Sequence, residues 1–176
     1  MKKLILFAST IAMITACNTN APEVAESPAP TADFKWQTEQ FADIKILRYQ
    51  VPGWDKLTPK QRMLVYYLNE AGLAGRDIMW DVNYRHNLEI RRAIEGIIKN
   101  YTGSKDVQNW LNFMEYAKRV FFSNGIHHHY SHAKIMPVFD KVYFETLLSS
   151  TGQNLSPEAM EAIFNPKMDA KKVEKS

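Results

Sequence analysis

Apolar residues recur at helical spacing in residues 88–101, and this stripe constrains the fold more than any other feature of the chain. The apolar positions fall three or four residues apart on one side of a helix: Ile90, Ile94, Ile97, Ile98 and Tyr101. Charged residues occupy the other side, where we expect them to be solvated: Glu89, Arg91, Arg92, Glu95 and Lys99. The pattern predicts an amphipathic helix that buries one face against other helices.

Similar patterns predict further helices on both sides of this one. Thr58 and Gln61 can form a capping box around Pro59. The helix that follows has an apolar face: Leu64, Tyr67, Leu68, Ala71 and Ala74. Its pattern continues through residues 76–81. A helix over residues 106–122 is expected to have this inner face: Val107, Trp110, Leu111, Met114, Ala117 and Phe121.

Two shorter helices are expected near the end of the chain. One covers residues 138–148, and Ser156 caps the other before Asn165-Pro166 ends it. Residues 44–51 alternate between apolar and polar, which fits a strand and an irregular segment equally well. With 45% hydrophobic residues the chain can build a packed core. The fold class is therefore mainly α, or α+β with a short strand near 44–51.

Residues 1–16 are typical of a lipoprotein signal peptide. Lys2 and Lys3 precede an apolar stretch that is too short to remain as a membrane anchor. The sequence Ile14-Thr15-Ala16-Cys17 resembles a lipobox, in which the cysteine is lipidated and becomes the first residue. Cys17 is the only cysteine, so an internal disulfide is excluded. We expect a lipid-anchored protein of the bacterial cell envelope; the alternative is an ordinary secretory signal with an incidental cysteine.

The rest of the chain divides into three parts. Residues 17–32 contain the lipidated cysteine and a proline-rich disordered tether. Residues 33–166 form the helical part, and residues 167–176 are a polar tail that we expect to be a truncation point. The formal charge of +3 falls to +1 without the signal peptide, so nothing electrostatic favours a nucleic-acid partner.

Four of the five histidines follow the Asn124-Gly125 helix stop within six residues: His127, His128, His129 and His132. Three imidazoles could hold zinc or copper, but the run contains no cysteine or carboxylate to complete the site. Neither a nucleophile with an orienting carboxylate nor a phosphate-binding motif is recognisable. A polar loop that contacts something bound in a cleft is the preferred interpretation.

Several separated blocks of the chain closely resemble the N-terminal part of bacterial dipeptidyl peptidase III, and the lipoprotein members look most similar. The blocks keep their order across about residues 34–170: 41–54, 64–68, 75–78 and 122–130. The resemblance implies a zinc exopeptidase that releases dipeptides from the N-terminus of oligopeptides. It also implies two lobes around a wide cleft that closes on the substrate.

The zinc ligands of that family come from an H-E-x-x-G-H motif and a later glutamate-containing motif in the other lobe. In this sequence no histidine is followed directly by glutamate. The resemblance therefore implies an N-terminal fragment of the lower lobe, inactive alone, with no catalytic or metal-binding residue of its own and zinc only in the full-length enzyme. One alternative is a non-enzymatic lipoprotein that binds peptides or a protein partner. Another is a protein that binds a metal ion through the histidine loop.

Three residues of this chain are implied to contact the peptide: Asn124, Gly125 and Tyr130. In the family the equivalent segment lines the lower wall of the cleft, with an aromatic residue near the substrate subsites at the position of Tyr130. The four histidines stand where other branches of the family have varied residues. The resemblance therefore implies no role for them.

Overall fold

The computed structural model describes residues 34–171, which form six α-helices and one small antiparallel sheet. The strands and helices are β1 (Gln37–Phe41), β2 (Ile44–Leu47), α1 (Pro59–Ala74), α2 (Arg76–Asn83), α3 (Asn87–Asn100), α4 (Gln108–Ser123), α5 (Lys141–Ser150) and α6 (Pro157–Phe164). The predicted fold class, mainly α with a short strand, is confirmed. The predictions for the signal peptide, Cys17, the tether and residues 172–176 lie outside the described residues.

A two-stranded hairpin precedes the helices and is attached to α4. β1 and β2 run antiparallel, with Phe41 opposite Ile44. Lys118 on α4 donates a hydrogen bond to the carboxylate of Glu39, and Arg119 forms a salt bridge with Asp43 at 2.8 Å. Of the two alternatives left open for residues 44–51, a strand is present over Ile44–Leu47. β1 was not predicted, because it is polar and lacks the apolar alternation by which a strand is recognised.

The core lies among α3, α4, α5 and α6. Ile90, Ile94 and Ile97 are fully buried, which confirms the apolar stripe of α3. These are the other buried apolar side chains of residues 34–171: Trp80, Ala93, Trp110, Phe113, Tyr116, Ala117, Val120, Ile126, Phe139, Phe144, Leu147, Leu148, Ala159, Met160, Ala162 and Ile163. Ser156 and Asp140 cap α6 and α5 by accepting hydrogen bonds from backbone N–H groups.

The buried face of α4 agrees with the prediction only in part: Trp110 and Ala117 are buried as expected. Val107 and Leu111 were expected inside but are 44% and 49% exposed. The helix also buries Phe113 and Tyr116, because the ring of Phe139 packs against both, with centroids 5.8 and 5.6 Å away. The residue spacing fits either face, and the approach of Phe139 from the segment before α5 selects the one that is buried.

The charged face of α3 is also less solvated than predicted. Arg91 retains only 15% of its side-chain exposure and lies between Asp77 at 2.6 Å and Glu95 at 2.8 Å. The Glu89 carboxylate accepts hydrogen bonds from the backbone N–H and the hydroxyl of Ser156. These contacts tie α3 to α2 and to the start of α6.

α1 begins as predicted but buries none of its residues against the rest of the described chain. Thr58 and Gln61 form the capping box, with the Thr58 N–H donating to Gln61 Oε1 at 2.9 Å. The pattern that was expected to continue through residues 76–81 is broken at Gly75, where α1 ends and α2 begins. Among residues 34–171 no helix is long and apolar enough to cross a membrane.

Candidate functional site

The chain leaves α4 through Asn124 and Gly125, the helix stop that the sequence predicted. Asn124 has a left-handed backbone with φ of 51°, and Gly125 follows with φ of 152°. The Gly125 N–H donates to the carbonyl of Val120 at 3.0 Å, which closes the end of the helix.

Asn87 at the start of α3 holds this helix stop in place. Its Nδ2 donates to the Asn124 carbonyl at 3.3 Å, and its Oδ1 accepts from the Ile126 N–H at 3.1 Å. Asn83, at the end of α2, donates to the same carbonyl at 3.3 Å. Sequence reasoning missed both asparagines because a lone asparagine at a helix end is so common. Only their position beside an apolar stripe could have indicated them.

Residues 127–134, which we call the histidine turn, fold back on themselves directly after the helix stop. His127 pairs with Lys134 in an antiparallel bridge, and the Ile135 N–H donates to the Ile126 carbonyl at 2.8 Å. The Lys134 N–H donates to the carbonyl of Ala170 at 3.0 Å. The segment after α6 therefore lies against the base of the histidine turn.

His127 belongs to the buried base of the turn. The residue is 5% exposed, and its Nε2 is hydrogen-bonded to the Asp169 carbonyl at 2.8 Å. Its ring meets Tyr84 edge to face, with centroids 5.0 Å apart. The Tyr84 hydroxyl donates to Asp169 Oδ2 at 2.6 Å, and Arg85 adds a salt bridge at 3.0 Å. His127 therefore fastens the turn to the segment after α6.

The groups in this base have shifted pKa values. The hydrogen bond from Tyr84 lowers the pKa of the Asp169 carboxyl, and the positive charge of Arg85 adds to the effect. Burial raises the pKa of the Tyr84 hydroxyl, and Asp169 raises it further. Burial lowers the pKa of the Lys134 ammonium, which donates to the carbonyls of Asn165 and Met168.

The tip of the turn presents aromatic rings to solvent. Tyr130 is 83% exposed, and its ring centroid lies 4.3 Å from that of His129. The His129 ring also stacks on His128 at 4.6 Å and meets Phe122 edge to face at 5.1 Å. Ser123 Oγ is 3.5 Å from His129 Nδ1. Tyr130 thus stands on a row of packed rings instead of extending alone into water.

Two cavities flank the turn. One has a volume of about 230 Å³, and its polar lining includes Asn83, Asn124, Gly125, His129 and His132. The other has a volume of about 380 Å³, and its lining includes Glu115, Arg119, Ser131, Lys134 and Met136. His128 lies between them and lines both.

The three residues implied to contact a peptide are placed differently. Asn124 and Gly125 line the smaller cavity, whereas Tyr130 lies at the exposed tip of the turn and lines neither of the two cavities. The Asn124 carbonyl is occupied by Asn83 and Asn87. Tyr130 is connected to the smaller cavity through His129, which lines that cavity and contacts the Tyr130 ring.

The histidines do not converge as metal ligands. Within residues 34–171 no three His, Cys, Asp or Glu side chains are arranged to hold one metal ion. His127 Nε2 is bonded to Asp169, and His128 Nδ1 accepts hydrogen bonds from backbone N–H groups of the turn. The catalytic zinc of the resembled family therefore does not fit these residues, and we assign them no zinc-dependent step.

No protein-family model matches the chain, and no curated protein sequence is significantly similar to it. The resemblance to dipeptidyl peptidase III therefore stays a prediction that rests on the sequence blocks.

Proposed function

We propose that residues 34–171 form part of the substrate-binding wall of a dipeptidyl peptidase III-like zinc exopeptidase, which releases dipeptides from the N-terminus of oligopeptides. In this proposal another part of the enzyme supplies the zinc-bearing lobe, and this chain binds peptide without hydrolysing it. The observation that carries the proposal is the firmly held turn that presents Tyr130, 83% exposed, beside a polar cavity.

This arrangement suits an oligopeptide for two physical reasons. A peptide has polar backbone groups, which the amide and imidazole lining of the smaller cavity can bond, and side chains that can pack on an aromatic ring. The turn is also ordered before any ligand arrives, since Asn87, His127 and Lys134 fix its base. Less conformational entropy is then lost on binding.

The proposal includes a lipid anchor at Cys17 and a location in the bacterial cell envelope. Its support is the Ile14-Thr15-Ala16-Cys17 sequence after a positively charged, apolar segment. A cysteine that carries several acyl chains would hold the protein firmly at a membrane surface, whereas one chain alone binds weakly.

Peptide binding tests the proposal directly. We expect the purified chain to bind a tetrapeptide with a free N-terminus in calorimetry. Tyr130→Ala should weaken that binding about tenfold, because a lost aromatic contact costs about 1.4 kcal/mol. Tyr49→Ala is the matched control, since Tyr49 is 84% exposed and lies after β2, away from the turn in sequence. Equal effects of the two substitutions, or no binding at all, would remove the support for a peptide site at the turn.

Two further experiments examine the zinc enzyme itself. The purified chain should release no dipeptide from a chromogenic dipeptidyl substrate, with or without zinc, and zinc-dependent release would contradict the proposal. Sequencing the gene past codon 176 should reveal an open reading frame that reaches H-E-x-x-G-H. A stop codon would favour the second candidate function instead.

The second candidate is a non-enzymatic lipoprotein module that binds a protein partner. The observation that favours it is α1, whose large apolar side chains are exposed: Met63, Leu64, Val65, Tyr66, Tyr67, Leu68 and Leu73. A helix that is apolar on most of its surface is normally buried in a larger assembly. In this case substitutions on α1 would abolish binding of the protein partner in cells, and Tyr130→Ala would leave that binding unchanged.

A further inference from the structure

The side chain of His128 is hydrogen-bonded to the turn that contains it. Its Nδ1 accepts hydrogen bonds from the backbone N–H groups of Tyr130 and Ser131, each at 3.2 Å. The backbone N–H of His128 donates to the Ala133 carbonyl at 2.8 Å, and the backbone carbonyl of His128 accepts from the His132 N–H at 2.9 Å. One residue therefore connects both arms of the turn and two amides at its tip.

We propose that His128 is a positioning residue for Tyr130: its neutral ring holds the turn in the form that presents the tyrosine, and protonation of the ring releases it. This inference rests on the proposed peptide-binding function and adds a pH dependence to it. No property of the resembled family implies it, since the resemblance assigns the histidines no role.

The chemistry follows from which groups donate. Backbone N–H groups can only donate, so Nδ1 of His128 must offer a lone pair, and the proton of the neutral ring must then sit on Nε2. A second proton on the ring would occupy Nδ1, where it would point at the backbone N–H groups of Tyr130 and Ser131, which are donors themselves. Both hydrogen bonds would be lost. Imidazole is the side chain whose charge ordinarily changes between about pH 5 and pH 8.

Charged and titratable groups surround His128 on several sides. Asp43 of the hairpin interacts with it electrostatically, and Glu115, Arg119 and Lys134 line the larger cavity with it. The other three histidines of the turn line the smaller cavity with it. Arg119 lies between the carboxylates of Asp43 at 2.8 Å and Glu115 at 3.2 Å. Lys134 donates to backbone carbonyls. The charges of the two carboxylates and the two cations cancel, so these groups leave no excess of local charge around the ring. The loss of the two hydrogen bonds on protonation therefore follows from the donor geometry at Nδ1.

Two substitutions separate hydrogen bonding from titration. Asparagine at position 128 can accept the same backbone N–H groups through Oδ1, as asparagine does in Asx-turns, and it does not titrate. Alanine can do neither. His128→Asn should therefore keep the turn at every pH, whereas His128→Ala should lose it at every pH.

Amide hydrogen exchange measured by NMR tests the inference without any ligand. In the wild-type protein, protection of the Tyr130 and Ser131 amides, corrected for intrinsic exchange, should fall at least fivefold between pH 7.5 and pH 5.0. It should stay constant in His128→Asn and be low at both pH values in His128→Ala. Wild-type protection that does not change with pH, or a His128→Asn protein that behaves like His128→Ala, would overturn the inference.

Peptide affinity measured on the same proteins distinguishes this inference from the proposed function. We expect wild-type affinity to fall about fivefold at pH 5.0 and the affinity of His128→Asn to change little. If no peptide binds at either pH, the proposed function fails, while the exchange measurement still decides the role of His128. If peptide binds through Tyr130 without any pH effect on exchange, the function stands and the inference fails. Should His128→Ala not fold, the wild-type titration and His128→Asn carry the test.

Discussion

The side-chain amide of Asn87 occupies the space that a β-carbon on Gly125 would need. A β-carbon built on Gly125 would lie 2.1 Å from Asn87 Nδ2. Asn87 is 1% exposed and bonds the backbone on both sides of Gly125, at the Asn124 carbonyl and the Ile126 N–H. The pair fixes the path by which the chain enters the histidine turn.

Gly125→Ala should lower the free energy of unfolding by about 3 kcal/mol, measured by urea denaturation. The new methyl group would overpack a buried amide, and a φ of 152° strains any residue with a β-carbon. Gly152→Ala is the control, because Gly152 also has a positive φ, 67°, but has open space around it. Its cost should be about 1 kcal/mol. Equal costs would show that the contact with Asn87 is unimportant.

Asn87→Ala should also destabilise the protein, by about 2 kcal/mol, because the buried Ile126 N–H loses its acceptor. When Asn87→Ala is combined with Gly125→Ala, the total loss should be smaller than the sum of the two, since the smaller side chain removes the clash. A double-mutant cycle in urea measures this coupling. Strict additivity would argue against the close packing described here.

The hydrogen bond from Tyr84 to Asp169 should make the free energy of unfolding depend on pH. The pKa of Asp169 is lower in the folded protein than its ordinary value, so the ionised carboxylate stabilises the fold above about pH 4. That contribution is lost as the pH falls through the folded-state pKa. Tyr84→Phe should cost about 1 kcal/mol at pH 7 and progressively less below pH 4. Urea denaturation at pH 7, 5 and 3 provides the comparison, and a difference that stays constant would contradict it.

Substitutions on α1 should leave the stability of the helical core unchanged. Tyr67 is 62% exposed, so Tyr67→Ser should alter the free energy of unfolding by less than about 0.5 kcal/mol. Ile94→Ala, at a fully buried position on α3, should cost about 3 kcal/mol.

The same Tyr67→Ser protein should show less self-association in analytical ultracentrifugation, because an apolar surface has been reduced. A large loss of stability in Tyr67→Ser would mean that α1 packs against the core.

Cys17→Ser should release the protein from membranes if the lipobox is used. In fractionated bacterial cells the wild-type chain should sediment with the membranes, and the variant should be recovered in the soluble fraction. Labelled fatty acid should be incorporated into the wild-type protein alone. A soluble wild-type protein that takes up no label would mean that the segment is an ordinary secretory signal, and label in Cys17→Ser would place the acyl chain on another residue.

Local patterns were sufficient to predict most of the helices. The capping box at Thr58, the stripe of α3, the Asn124-Gly125 stop and the Ser156 cap were all readable, because each depends on residues within one or two turns of helix. The face of α4 was predicted in part: Trp110 and Ala117 are buried as expected, but Phe113 and Tyr116 were missed because their contact is the ring of Phe139, far along the chain.

The candidate site was only partly readable for a similar reason. The cluster of histidines was obvious in the sequence, but the four are not equivalent in space. His127 is buried against Asp169, and His128 bonds its own turn. The side-chain amide of Asn87 and the backbone carbonyl of Asp169 lie 39 and 42 residues away from the positions they hold. Such long-range pairs leave no periodic signal in one sequence.

The pairing of Lys134 with Ala170 and of Ala133 with Lys171 has a practical consequence for labelling the protein. A probe attached at Lys171 itself starts beside the histidine turn. A tethered peptide or fluorophore would therefore reach Tyr130 at an effective concentration on the order of millimolar.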